Sequence, residues 1–299
     1  MNALILTSLE QGLIFAVLAM GVTITYKILD IADLSVEGTF PLGAFVFAKF
    51  AMAGFSPAIS SIFAFGYGAV AGLITALLFV KLRIRPLLAG ILTMTMLYSF
   101  NLRLNGKANI PLFSYDSLFS DISAIVLMVA VVVGIKILMD LFLKTEIGYL
   151  LIATGDNEAL VRSLGENSNK YKIIGLMLAN GLVALSGSLM AQYQGFVDIT
   201  MGASIIVVAL ASIIIGETVS KSSSFLSITT RAIIGAVSYK LIGGIAIDLG
   251  LSPTDLRAIS AIIVIVFISY NNFSSPFIKS IKKQGGRARV KSKKPLEEL

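Results

Sequence analysis

Lys136, Asp140 and Lys240 are ionisable side chains set within or beside long apolar runs, where a charge is costly unless it pairs or meets water. Lys136 and Asp140 stand four apart and on a helix could neutralise one another. Lys240, in "GAVSYKLIGG", must snorkel or pair elsewhere. Charges at that depth are what an ion-coupled carrier uses. Asp33 and Glu37, in "DLSVEGTFPLG", are also four apart and would share a helix face. Two like charges there need water, a cation or separate partners. Gly38, Pro41 and Gly43 then allow a break or close packing just inside a span. The stretch reads either as a polar loop leading into a helix or as a gate at the mouth of a path. A third group, Asn180, Ser186, Ser188, Gln192 and Gln194, lies in or at the end of one apolar segment. Asn180 and Gln192 are 12 residues apart, about 3.3 helical turns, which puts them near one face. That face either bonds to neighbouring helices or lines a route, and Gly181 and Gly187 would let another helix approach closely.

Enzyme chemistry finds little support. The sequence has no cysteine, histidine or tryptophan, so thiolate metal sites and Cys/His nucleophile pairs are excluded. Asp248 and Asp255 are too isolated to act as an acid and base pair. No G-x-x-x-x-G-K-[ST] loop is present. The nearest approach, "GETVSKS" (Gly216 to Ser222), lacks the second glycine that lets backbone N–H groups cradle phosphates. Any nucleotide that drives this chain must bind to another polypeptide.

The elements that hold these residues are long and apolar. Of 299 residues, 56% are hydrophobic and 14% charged, against roughly 25% charged in soluble domains. The pattern predicts an all-α polytopic membrane protein with about nine spans, eight to ten being the range: 5–26, 37–53, 57–80, 87–102, 122–143, 173–193, 201–216, 232–249 and 257–272. Segments 37–53 and 201–216 are short enough that one could be re-entrant or broken, and 87–102 is weak. The "GYGAVAG" run holds a G-x-x-x-G packing motif at Gly68 and Gly72. Residues 1–278 read as one membrane domain and 279–299 as a basic tail. "MNALILTSLEQGLIF" reads as the start of a retained span, with no basic leader and no small-residue cleavage site.

Lys and Arg set the expected orientation. The loops 27–36, 81–86, 144–172 and 217–231 and the tail hold 18 of them, including Lys27, Lys81, Arg83, Arg85, Lys144 and Lys170; the opposite side holds 4, Lys49, Arg103, Lys107 and Arg257. The basic side is therefore expected in the cytoplasm and the N-terminus outside. The tail, which supplies most of the +7 formal charge, reads as an anchor beside anionic lipid rather than a nucleic-acid arm. Within the loop 144–172, Gly155 or Asp156 could cap a short helix. Asp156 and Glu158 sit in its first turn, Leu160, Val161 and Leu164 form an apolar face, and Gly165 is the stop. Two to three turns are not stable alone in water and need a surface on which to bury the leucines. With Asp156, Glu158 and Glu166 present, lipid suits this helix less than the protein's own face or a groove on a soluble partner.

The stretch from Gly155 to Gly202 resembles the coupling loop and following span of ABC-importer permease subunits of the branched-chain amino-acid and ribose permease superfamily. "ILDIADLSVEGTFPLGA" (Ile28 to Ala44), "NGKANIPLF" (Asn105 to Phe113) and "IIVVALASIIIGE" (Ile205 to Glu217) are similar to the tryptophan/tyrosine-type permease group within it. The resemblance covers about residues 10–275. It implies that Gly155, Asp156, Glu158, Ala159, Arg162, Leu164 and Gly165 form a cytoplasmic coupling helix seated in a separate ATPase. Gly165 follows Glu158 by seven residues, one more than in the better-known importer motif. The resemblance further implies a homodimer in the bacterial plasma membrane and an extracytoplasmic substrate-binding protein. ATP and magnesium would sit on the ATPase and no cofactor on this chain. The substrate would be an amino acid, an aromatic one first. Asp33, Glu37, Asn180, Gln192 and Gln194 stand as candidates for the translocation path or gate. An ion-coupled secondary transporter using Lys136, Asp140 or Lys240 is the alternative that the residues leave open.

Overall fold

The structure, a computed structural model, describes residues 2–120, 123–220 and 226–251, with the further helical positions 258, 261, 262, 265, 266 and 269. Among the described residues the chain is all-α apart from one two-stranded ribbon: α1 Asn2–Thr23, α2 Val36–Met52, α3 Pro57–Val80, α4 Pro86–Asn105, β1 Asn109–Pro111, α5 Ala124–Leu143, α6 Glu146–Asp156, α7 Glu158–Ser163, α8 Ser168–Gln194, β2 Phe196–Asp198, α9 Ile205–Val219 and α10 Ile228–Asp248. Among the described residues seven helices are long and apolar enough to cross a membrane; α2, at 17 residues, is shorter than these. The segment 257–272 falls largely outside the described residues, and the tail 279–299 wholly so.

Helix boundaries follow local signals. Pro57 and Pro86 open α3 and α4, where a missing N–H costs nothing. Gly106 and Gly195 close α4 and α8 with positive φ, which glycine adopts without penalty. Below Thr23, α1 widens into a π turn, Ile24–Ile28. Pro41 does not break α2, which stays helical on both sides of it. The Glu37 carbonyl, which has no N–H to accept from Pro41, is instead covered by Gly202, where a Cβ would meet that oxygen. The short segment expected at 201–216 is interrupted at its start. A 3-10 turn, Ile199–Gly202, leads into α9 through Ser204 at φ 63°.

Helices α1, α2 and α8 form the centre, and α3, α4, α5, α9 and α10 surround them. Phe40, Phe45 and Phe47 of α2 are all but fully buried, whereas α5 exposes Val126, Ile137 and Leu138 along its outer side, as a lipid-facing helix would. Small residues set the close crossings. Gly43 of α2 lies on the backbone of Ala184, and Gly187 of α8 lies on the Phe40 carbonyl. Gly68 and Gly72 of α3 lie on the carbonyls of Asn180 and Leu176, so the G-x-x-x-G run packs α3 on α8. At one end β1 pairs antiparallel with β2, Ile110 opposite Val197. Hydrogen bonds from Thr200 and Asn109 hold the Asp198 carboxyl there below the usual range. The opposite end gathers the basic turns: the π turn, residues 81–85, α6, α7 and the end of α9, where Lys27 pairs with Glu217 at 2.8 Å.

Candidate functional site

Helix α7 is a six-residue knob at the basic end. Asn157 caps it, since its backbone turns extended (φ −156°, ψ 91°) and its side chain accepts from the Leu160 N–H at 3.1 Å. This corrects the expectation that Gly155 or Asp156 does so. Both of those belong to α6, a helix the sequence reading took as loop, which starts at Thr145 capping the Gly148 N–H. Gly155 packs against the Ile28 carbonyl, where any side chain would collide, so its role is close packing on the π turn.

One apolar side chain and one carboxylate hold α7 in place. Val161 is fully buried in the main core. Glu158 takes Lys172 at 2.8 Å, the Ser168 hydroxyl at 2.9 Å and the Arg162 guanidinium. The Lys172 contact, aided by the Ser168 and Arg162 bonds, holds its carboxyl down at about 2. Glu158 therefore stays ionised, and its anchoring persists, throughout the neutral range. Lys172 also lies 5.2 Å from the Phe79 ring, which fixes it from the other side. Gly165, at φ 84°, ends the knob, with the Glu166 N–H returning to the Val161 carbonyl at 3.2 Å.

The apolar face expected from Leu160, Val161 and Leu164 is split. Val161 points inward, while Leu160 and Leu164 remain 51% and 66% exposed. Asp156, Ala159, Arg162 and Gly165 are exposed with them. The protein's own face thus buries one side of α7 and leaves two leucines on the other, held on an ion-paired mount.

The candidate path residues do not converge. Asp33 lies before α2, not on it, so it shares no helix face with Glu37. It is buried, accepting from the Ser35 N–H at 2.9 Å, the Ser35 hydroxyl and the Asn180 amide at 2.8 Å. The other amide atom of Asn180, Oδ1, receives the Thr39 hydroxyl at 2.8 Å. Among the described residues no lysine or arginine pairs with Asp33; its donors are neutral dipoles, the Ser35 N–H and hydroxyl just before α2 and the Asn180 amide of α8. The sequence reading missed Ser35 and Thr39, although their i, i+4 spacing beside two candidate acids was a visible signal.

Glu37 faces another way, into a cavity of about 370 Å³ between α2, α4 and the 3-10 turn, where its carboxylate accepts the Ser204 N–H. Tyr98, Met94 and Thr200 line the same cavity, with Asn101. Asn101 donates to the Gly38 carbonyl at 3.2 Å, but its buried Oδ1 has no hydrogen-bond partner. Gln192 lies farther along α8, buried, bonding Ser61 at 3.0 Å and receiving the Leu118 N–H at 3.0 Å. Gln194 bonds the Phe196 carbonyl near the ribbon. Asn180 and Gln192 therefore tie α8 to different neighbours instead of lining one surface. Lys136 and Asp140 do pair, at 2.6 Å, with Thr229 bonding Asp140 as well. Lys240 lies 3.8 Å over the Phe15 ring and 3.3 Å from the Gln11 amide oxygen.

Comparison with known proteins gives this geometry a family. The chain is 47% identical over 280 residues to a tyrosine transport system permease protein of Clostridioides difficile (strain R20291), covering 93% of this chain and 95% of that one. It is 36% identical over 276 residues to an uncharacterized protein of Rickettsia prowazekii (strain Madrid E), covering 90% and 98%. An autoinducer 2 import system permease protein of Yersinia enterocolitica is 29% identical over 210 residues, covering 68% of this chain and 57% of that one. No solved structure matches. Residues 4–278 match the family described as branched-chain amino acid transport system / permease component, and the chain belongs to that family of membrane permeases.

Proposed function

We propose that this chain is the membrane-spanning subunit of an ATP-driven importer in a bacterial plasma membrane. Two copies would enclose one path, a cytoplasmic ABC ATPase would bind the basic end, and an extracytoplasmic binding protein would deliver substrate. An aromatic amino acid, tyrosine first, is the proposed cargo, supported by the name of the 47% identical relative. The observation that carries the coupling reading is the exposed pair Leu160 and Leu164 on a knob whose remaining faces are committed to Val161 and the Glu158 ion pairs. A surface helix presenting two leucines from a rigid mount suits a groove in a partner, and the mount returns any push to α8 through Lys172 and Ser168. Asp156, Ala159, Arg162 and Gly165 complete the docking surface. Glu158 positions it, and Gly155 holds α6 against the π turn.

For the path, the cavity beside Glu37 fits better than the Asp33–Asn180 cluster. It offers a carboxylate, an acceptor suited to an ammonium group, beside Tyr98 and Met94, and its wall includes Asn101, whose buried Oδ1 has no hydrogen-bond partner. The Asp33–Asn180 cluster is a closed network and acts as a structural lock. Lys136 and Asp140 satisfy each other, so nothing about them favours ion coupling.

The test is co-purification of the chain with its ATPase. Leu164→Asp places a charge in the proposed groove and should weaken ATPase binding by roughly thirtyfold, a loss of about 2 kcal/mol typical of a central interface anchor. The melting temperature should stay unchanged, because the residue is exposed. Normal ATPase binding by that variant would end the coupling assignment.

A further inference from the structure

Beside α7, the turn from α3 to α4 and the turn from α7 to α8 enclose two adjoining cavities, of about 710 and 400 Å³, that share Val80, Asn167 and Asn169. Their charge is unbalanced. Arg162 and Lys172 reach the larger cavity but are engaged by Glu158, and Glu166, its one carboxylate, accepts the Tyr171 hydroxyl at 2.7 Å. Arg83 in the larger cavity and Lys81 and Lys170 in the smaller are exposed, with no ion-pair partner among the described residues. Below these cations the wall turns apolar. Val80 is the last residue of α3, Ile173 and Ile174 belong to the second turn of α8, and Leu82, 66% exposed, stands between Lys81 and Arg83.

An aqueous anion would need the cations but not the apolar wall. An acidic segment of a protein partner would need no wall continuous with the sides of two membrane-spanning helices. A ligand with a phosphate above and hydrocarbon below uses both. We propose that these cavities bind an anionic phospholipid, its phosphodiester held by Lys81, Arg83 and Lys170 and an acyl chain lying along Val80, Ile173 and Ile174. The asparagine amides at 167 and 169 are placed to donate to headgroup oxygens. Arg162 and Gly165 of the proposed docking surface border the larger cavity, but Lys81, Arg83 and Lys170 lie outside that surface, so charge-selective lipid binding by the isolated chain tests the site separately from the ATPase reading.

The experiment uses the purified full chain, stripped of lipid in neutral detergent and incubated with phosphatidylglycerol or phosphatidylcholine, with bound lipid counted by native mass spectrometry. Phosphatidylglycerol should bind roughly tenfold or more tightly than phosphatidylcholine, given the attraction each basic residue exerts on an anionic headgroup. The triple variant Lys81→Gln, Arg83→Gln, Lys170→Gln should lose that preference, while Lys144→Gln, an exposed charge elsewhere on the same end, should keep it. All three substituted residues are exposed, so an unchanged melting temperature is expected; should the triple variant misfold, Arg83→Gln alone should move the preference in the same direction. Equal retention of the two lipids, or an unchanged preference in a folded variant, overturns the proposal. Displacement of the lipid by inorganic phosphate would overturn it too, by assigning an aqueous anion site, and so would binding only of an acidic peptide from the ATPase.

Discussion

Asn180 shows how one buried amide can fix a whole junction. Its nitrogen donates to Asp33 and to the Leu176 carbonyl, and its oxygen takes Thr39. Every member of the cluster is nearly inaccessible. Asn180→Leu fills the volume but strips a donor from the buried Asp33 carboxyl. It should lower unfolding stability by about 1–3 kcal/mol, since a buried acceptor is left short of a donor. Adding Asp33→Asn should recover part of that loss, giving a coupling energy of about 1 kcal/mol or more. Thermal unfolding of the single and double variants in detergent reads the cycle, and additive losses would mean that the two residues act independently. The residue types of this cluster were legible as costly polar groups beside a span. Their mutual contact was not, because nothing local tells which connection folds inward: Asp33 is as hydrophilic as Asp30, which stays exposed.

At the level of elements, the apolar runs that fall in the described residues match helices to within a few residues, because a run near 20 residues has few alternatives to a helix in lipid. The connections were read less well. Helix α6 was hidden in a loop because "EIGYLLIATGD" is short and mixed, though Thr145 followed by Glu146 is an ordinary start signal. The α7 cap is Asn157 and not the expected Gly155 or Asp156, because all three adjacent residues are types that can cap and only the fold selects one. Crossings between helices depend on glycines that sequence alone could flag but not rank. Gly43→Val would drive a side chain into the Ala184 backbone, whereas Gly134 of α5 has open space around it. Overpacking at the first should cost about 1–3 kcal/mol or more, and Gly134→Val should cost well under that. Melting temperatures of the two variants decide it; equal effects would mean that α2 and α8 can slide apart.

For the molecule as a whole, the lack of cysteine makes orientation directly measurable. Lys144→Cys is expected to react with a membrane-impermeant maleimide only after permeabilisation, and Lys107→Cys in intact cells. The reverse pattern would invert the molecule and remove α7 from the reach of any cytosolic ATPase. Both positions are exposed, so burial does not confuse the readout.

The short ribbon at the end opposite α7 bears on how such a molecule could move. Three residue pairs, Asn109 to Pro111 with Phe196 to Asp198, fasten the exit of α4 to the approach of α9, and those two elements form two of the walls of the cavity beside Glu37, with α2 the third. The ribbon works as a hasp. On the proposed path through that cavity, the wall at this end stays closed while the ribbon holds, and a solute entering from that side would need the hasp to unzip or α4 and α9 to swing together as one shutter.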